Sequence, residues 1–356
     1  MNARVRVAAS IVPVVAILAL AAVWGRGLPV VVEVLIVLLL AGCVLAAVHH
    51  AEVVAHRVGE PFGSLILAVA VTVIEVGLIV TLMISGGPGA ASLARDTVFA
   101  AVMITCNGIV GLSLLITALR RGTAPFNPEG TGAALATVIT LATLCMVLPS
   151  FTTSDSGPEF SGPQLAFAAV VSLALYVLFV FVQNIRHRDY FLAEGDDDDH
   201  AYGPSAKAAR TSLGLLVVAL VAVVGLAKVE SKTIEDAVSG AGLPGSVVGV
   251  VIALLVLLPE TLAAARNARR NRVQISLNLA LGSAMASIGL TIPTIAVASI
   301  WLAGPLLLGL GAVHIVLLVL TAIVGTLTVM PGRATLLSAG LHLALCGSYL
   351  FLAAVP

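Results

Sequence analysis

Apolar runs of membrane length, repeated along all 356 residues, constrain this chain more than any other feature. About 20 consecutive apolar residues cross a bilayer as a helix. Breaks of Gly, Pro or charge separate eleven such runs, at about 7–24, 29–48, 63–84, 96–119, 131–149, 163–185, 208–228, 245–265, 275–301, 304–329 and 334–354. Hydrophobic residues make up 60% of the chain and charged residues 10%, more apolar surface than a soluble domain of this size buries. Lipid offers the backbone no hydrogen bonds, so apolar runs that cross it become helices. The expected fold class is an all-α integral membrane protein with about 11 transmembrane helices.

Loop charges orient these helices. With the N-terminus cytoplasmic, only Arg26, Arg95, Lys228 and Lys232 of the 18 Lys and Arg residues lie outside, so 18 − 4 = 14 lie inside. That is the positive-inside asymmetry, and it puts the C-terminus outside the cytoplasmic (inner) membrane. MNARVR and the run behind it resemble the charged flank and apolar region of a signal peptide. The run is long enough to be retained as a first helix, and cleavage near Ala21 is the alternative.

The longest internal hydrophilic stretch holds Asp196, Asp197, Asp198, Asp199 and His200. It divides the chain into an extra helix (1–28), a first half (29–186, helices two to six), a cytoplasmic acidic linker (187–207) and a second half (208–356, helices seven to eleven). Five spans is an odd number, so the second half enters the membrane in the opposite sense. This is a 1+5+5 arrangement with two inverted five-helix repeats.

Each half carries one glutamate deep inside an apolar run, Glu75 in helix three and Glu260 in helix eight, whereas Glu33 lies near the outer end of helix two. A carboxylate at membrane depth costs about 2.5–3.5 kcal/mol on insertion scales, so it marks a functional site, and no Lys or Arg lies deep in a span to pair with Glu75. Thr72 shares a helix face with Glu75. Pro259 removes a backbone donor just before Glu260, which frees carbonyl oxygens near residues 255–256, and oxygens beside a carboxylate suit a hard cation. The following helices, four and nine, add Asn107 and Ser283 among small residues, as further oxygen ligands or as helix-packing positions. Glu75 and Glu260 are therefore the expected metal and proton ligands, with Thr72, Ser283 and Asn107 beside them.

His49, His50, Glu52, His56 and Glu60 cluster where helices two and three meet. Glu52 and His56 are candidates for a cytoplasmic access point for ions, or for a pH-sensing turn. Asp196, Asp197, Asp198 and Asp199 either concentrate cations at the cytoplasmic mouth or form a solvated loop. His314 and His342 read as packing residues. Cys43, Cys106, Cys145 and Cys346 all lie in apolar segments without metal-site or disulfide spacing, so they read as small core hydrophobes.

The segments HRVGEPFGSLILAVAVTVIEVGLI and LLPETLAAARNARRNRVQISLNLALGSAMASIGLTIP resemble the two alpha-repeats of the bacterial calcium/proton antiporters of the ChaA type, in the calcium/cation antiporter superfamily. FNPEGTGAALATVITLATLCMVLPSFT and GRATLLSAGLHLALCGSYLFLAAVP agree with the same family, so the resemblance covers nearly the whole chain. It implies one plus five plus five helices with inverted halves, and a central site where one glutamate from each repeat exchanges cation for protons. Those roles fall on Glu75 and Glu260. The wider family's G-N-A-x-E pattern is altered here, with Thr72 and Leu257 in place of the asparagines. The site thus has fewer side-chain oxygens, and sodium or potassium stands beside calcium as cargo. The family's acidic segment between the halves matches 194–200.

Together these readings describe a secondary transporter exchanging Ca2+, or alternatively Na+ or K+, for H+. Low-dielectric surroundings favour the neutral form of a carboxylic acid, whereas calcium needs ionised oxygens, so protons and cation compete for the same groups. No cofactor is required, because the ions are cargo. The partners are inorganic cations, protons and the lipid bilayer. A net charge of zero gives no footing for nucleic acid, and nothing specifies an oligomeric state. The competing class is an intramembrane enzyme. It lacks support, since no span holds an Asp away from its end and the Asp196–Asp199 run has no second acidic motif on a helix.

Overall fold

The structure is a computed structural model that describes residues 3–59, 62–85, 89–192, 204–302 and 304–356. In chain order its helices are α1 (Ala3–Val23), α2 (Val30–Val58), α3 (Phe62–Ser85), α4 (Leu93–Met103), α5 (Val110–Arg121), α6 (Pro128–Ala142), α7 (Gly162–Phe181), α8 (Ala206–Gly240), α9 (Ser246–Val256), α10 (Leu258–Arg269), α11 (Val273–Gly289), α12 (Thr291–Ala298), α13 (Ala312–Val329) and α14 (Leu336–Ala354). A wider π turn, Ile104–Ile109, joins α4 to α5, so the two form one span. Two short strands, β1 (Ala124–Pro125) and β2 (Arg333–Ala334), pair antiparallel with Ala124 opposite Ala334.

Among the described residues nine helices are long and apolar enough to cross a membrane, the bent pair α9/α10 makes a tenth, and the shorter apolar helix Val7–Val23 is the remaining candidate. The chain is a multi-pass, all-α membrane protein, as its sequence leads one to expect. Three boundaries differ: α2 continues to Val58 and α8 to Gly240, past apolar runs that end near 48 and 228, and the third lies at the tenth run. The tenth run begins near 304 in the sequence, but its helix starts only at Ala312. Gly304 adopts φ +113°, a left-handed conformation that suits glycine. Leu307 N then donates to Ala91 O at 3.0 Å and Leu310 N to Met146 O at 2.8 Å. These bonds hold the segment as an extended connector instead of a helical turn.

The helices form two compact units. The first comprises Met1–Ala90 and Asp199–Val248, and the second comprises Ala91–Asp198 and Gly249–Pro356. This division differs from the two sequence halves: α1, α2 and α3 pack with α8.

In the first unit, glycine lets α8 approach its neighbours closely. A Cβ on Gly77 would stand 2.5 Å from Val224 Cγ2, and one on Gly225 would stand 2.3 Å from Leu20 Cδ2. Pro13 lies inside α1 and cannot donate to the Ala9 carbonyl one turn back. His50 replaces that donor. Its Nε2 lies 3.0 Å from Ala9 O, and its Nδ1 lies 3.2 Å from Ser212 Oγ. One buried imidazole thus ties α1, α2 and α8 together while its ring stays 5.4 Å from that of His49.

In the second unit, α11 packs against α6, α7 and α10, and α14 against α5. Gly289 brings α11 onto Tyr176, and Gly111 brings α5 onto His342 and Leu343. All four cysteines are free and buried.

Candidate cation and proton site

Glu75 lies in the interior of α3 and is 2% exposed. Ile74, Leu78 and Ile79 are buried around it, while Val69 and Val73 lie on an exposed apolar face. Thr72 is also buried, at 7% exposure, and its Oγ1 makes no hydrogen bond among the described residues. Buried hydroxyls ordinarily bond, if only to their own helix backbone. Thr105, Thr117 and Thr321 do so, each to the carbonyl four residues back. Thr72 therefore presents an uncommitted oxygen on the helix face that carries Glu75.

Glu260 belongs to the second unit and is 7% exposed. The span holding it bends by 50° between α9 and α10. Pro259 cannot serve the Leu255 carbonyl, and α10 restarts after Leu257 with Pro259 in its first turn. Thr261 seals the restart, its N and Oγ1 both donating to Leu257 O at 2.9 and 2.8 Å. Glu260 thus stands in the first turn of α10, where the helix dipole favours negative charge. Glu75 lies in an unbroken helix, so the two glutamates have different electrostatic settings.

Asn107 is fully buried in the π turn, a distortion that often marks functional positions. Its Nδ2 donates to Thr321 Oγ1 at 2.9 Å, and its Oδ1 lies 3.2 Å from His342 Nδ1. His342 Nε2 in turn lies 3.3 Å from Thr328 Oγ1. Both ends of the amide are thus engaged with α13 and α14. Sequence reading names Asn107 and His342 but neither their pairing nor the threonines that complete it, Thr321 on Asn107 and Thr328 on His342. The only signal available was polar residues recurring on two otherwise apolar helices. Ser283 is half-buried on α11, beside Gly282, where an added Cβ would meet nothing within 4 Å.

At the other end of α2, the Glu52 side chain is 45% exposed and lies 4.0 Å from His49 Nδ1. His56 Nδ1 is 2.7 Å from the Glu52 backbone carbonyl, so this imidazole is committed to its own helix. Asp196, Asp197, Asp198 and Asp199 lie outside the described residues. Among the described residues no three His, Cys, Asp or Glu side chains gather as a metal centre. A cation held here must draw neutral oxygens from hydroxyls, amides, carbonyls or water.

Comparison with known proteins agrees with this architecture. The sodium/calcium exchanger protein family is matched twice, over residues 28–184 and 211–355. The y4hA protein of Sinorhizobium fredii (strain NBRC 101917 / NGR234) is 48% identical over 322 residues, covering 89% of this chain and 87% of that one. The sodium-potassium/proton antiporter ChaA of Escherichia coli (strain K12) is 34% identical over 349 residues, covering 96% and 94%. The solved structure of native YfkE superposes with a TM-score of 0.75 at 15% identity, covering 99% of this chain and all of that one.

Proposed function

This chain belongs to the sodium/calcium exchanger protein family, and we propose that it exchanges Ca2+ for H+ across the cytoplasmic membrane, with Glu75 and Glu260 alternately taking cation and protons. Family membership makes it a transporter and not an enzyme. The observation that carries the finer reading is the Glu75–Thr72 face of α3, a buried carboxyl beside a buried hydroxyl that makes no hydrogen bond. An oxygen left without a partner inside a protein is expensive, and it suits a ligand that arrives and departs.

The coupling follows from charge. Two ionised carboxylates offset a divalent ion, and two protons offset the same pair. Both loaded forms are neutral and tolerate a low-dielectric path, whereas the empty dianion does not. Cation and protons therefore cross in exchange, without a leak of either. The N-terminus is assigned to the cytoplasm and the C-terminus to the outside by the loop charges.

A second reading, Na+ or K+ for H+, is favoured by one specific observation. The positions that hold asparagine in the wider pattern are Thr72 and Leu257 here, and the E. coli relative at 34% identity is a sodium-potassium/proton antiporter. Proton movement in everted vesicles, recorded on adding Ca2+, Na+ or K+ separately, tests both. A response to Ca2+ supports the first reading, and a response to Na+ or K+ alone supports the second. A response to none refutes exchange altogether.

A further inference from the structure

The first unit contains another buried acid that the exchange site does not use. Glu230, on α8, is 0% exposed, and neither of its carboxylate oxygens makes a hydrogen bond among the described residues. Thr233, one turn on, is a neighbouring hydroxyl that misses hydrogen-bond geometry. The charged group facing Glu230 is a second acid, Glu33, in the first turn of α2, and α2 packs along α8.

Among the described residues no cation offsets the pair. Lys228 and Lys232 are two residues to either side of Glu230 and leave the helix on other faces. Lys228 Nζ instead donates to Ser85 Oγ at 3.1 Å. Among the described residues no basic group lies within 4.0 Å of either carboxylate. α1 contributes no titratable side chain between Val7 and Val23, and α3 contributes only Glu75. His49, His50, Glu52, His56 and Arg57 sit at the opposite end of α2.

Two neighbouring carboxylates, one cut off from water and without a hydrogen bond, do not both stay ionised. The enclosed one, Glu230, takes up a proton. Two carboxyls without a third acidic or imidazole ligand make a poor metal centre but a sufficient proton site. We propose that Glu230 holds a proton, with Glu33 as a second acid across the α2–α8 packing, and forms a proton-loading site, separate from Glu75, at the end of the first unit where α2 begins. Its neighbour Ser231 is 3.2 Å from Ser85 Oγ at the end of α3. From Ser85, α3 runs ten residues back to Glu75, about 15 Å. The pair therefore stands on the approach to Glu75 from that end of the unit. Its role as an antechamber for exchanged protons rests on the exchange reading above, whereas the existence of the proton does not.

Infrared difference spectroscopy of the purified full-length protein between alkaline and acidic buffer tests the site without transport. A protonated carboxyl gives a carbonyl band that shifts in heavy water. The wild type should show carbonyl bands from each acid that takes a proton, Glu75 and Glu260 included, with one component lost in Glu230→Gln and kept in Glu75→Gln. Glu33→Gln should move the pH at which the band disappears, and this variant serves alone if Glu230→Gln does not fold. Wild-type and Glu230→Gln spectra that superimpose, or a Glu33→Gln band with an unmoved midpoint, would overturn the proposal. So would an ionised-carboxylate band at Glu230 that responds to Ca2+, which would make the pair a cation site instead. Loss of transport in Glu75→Gln with the Glu230 band intact would separate this proposal from the exchange reading.

Discussion

Replacing Thr72 by valine separates a ligand hydroxyl from a structural one. The two side chains have nearly the same shape, so packing at this 7%-exposed position changes little. The hydroxyl has no hydrogen bond to lose. A buried hydroxyl without a partner costs about 1–3 kcal/mol relative to water, and removing it should leave stability unchanged or raise it by up to about 1 kcal/mol. Function should move the other way. One neutral oxygen ligand is worth about 1–1.5 kcal/mol, which corresponds to about a tenfold rise in the half-saturating cation concentration. Thermal unfolding in detergent and cation-dependent proton flux in everted vesicles provide the two readings. A Thr72→Val protein that unfolds at a lower temperature, or that keeps the wild-type half-saturating concentration, would refute the assignment of Thr72 as a ligand.

Three further substitutions test the surrounding structure. His50→Leu strands the Ala9 carbonyl released by Pro13 and should cost about 1–3 kcal/mol, read as a lower unfolding temperature and faster proteolysis of α1. Asn107→Ala removes the amide shared by Thr321 and His342. It should cost about 1–3 kcal/mol by leaving His342 Nδ1 without the amide oxygen, while Thr321 keeps its bond to Leu317 O, with Asn107→Asp recovering part of the loss in the same unfolding assay. Gly77→Val drives a side chain into Val224, whose Cγ2 would lie 2.5 Å from the new Cβ, and should destabilise by about 1–3 kcal/mol through overpacking.

The membrane architecture was legible because lipid leaves few solutions. Apolar length sets the spans, and the backbone has to satisfy itself within each one. The span that begins at Ala312 shows where that logic stops. Residues 304–311 are apolar enough to extend the helix, yet Gly304 and the backbone bonds to Ala91 and Met146 hold them extended. Apolar composition does not record such long-range pairing. The break before Glu260 was legible from Pro259, because a missing donor is a local fact. The π turn at Ile104–Ile109 was visible only as a run of polar and small residues. The partners of Asn107 lie more than 200 residues away, on α13 and α14, and no spacing rule connects them. The same is true of His50, which sequence proximity groups with His49 and Glu52 but whose ring turns to α1 and α8. Glu230 was hidden for another reason. It lies in the stretch VESKTIED, which reads as solvated, and only packing shows it enclosed.

The most direct test of exchange through two glutamates is proton-coupled flux in everted vesicles carrying Glu75→Gln or Glu260→Gln, with membrane insertion checked by immunoblot. Glutamine keeps the shape and loses the charge, so each variant retains a single carboxylate where the paired mechanism requires two. The expected result is normal insertion with proton flux evoked by Ca2+, Na+ or K+ abolished in each single variant. Retained cation-evoked proton flux in either one would contradict the paired-carboxylate mechanism.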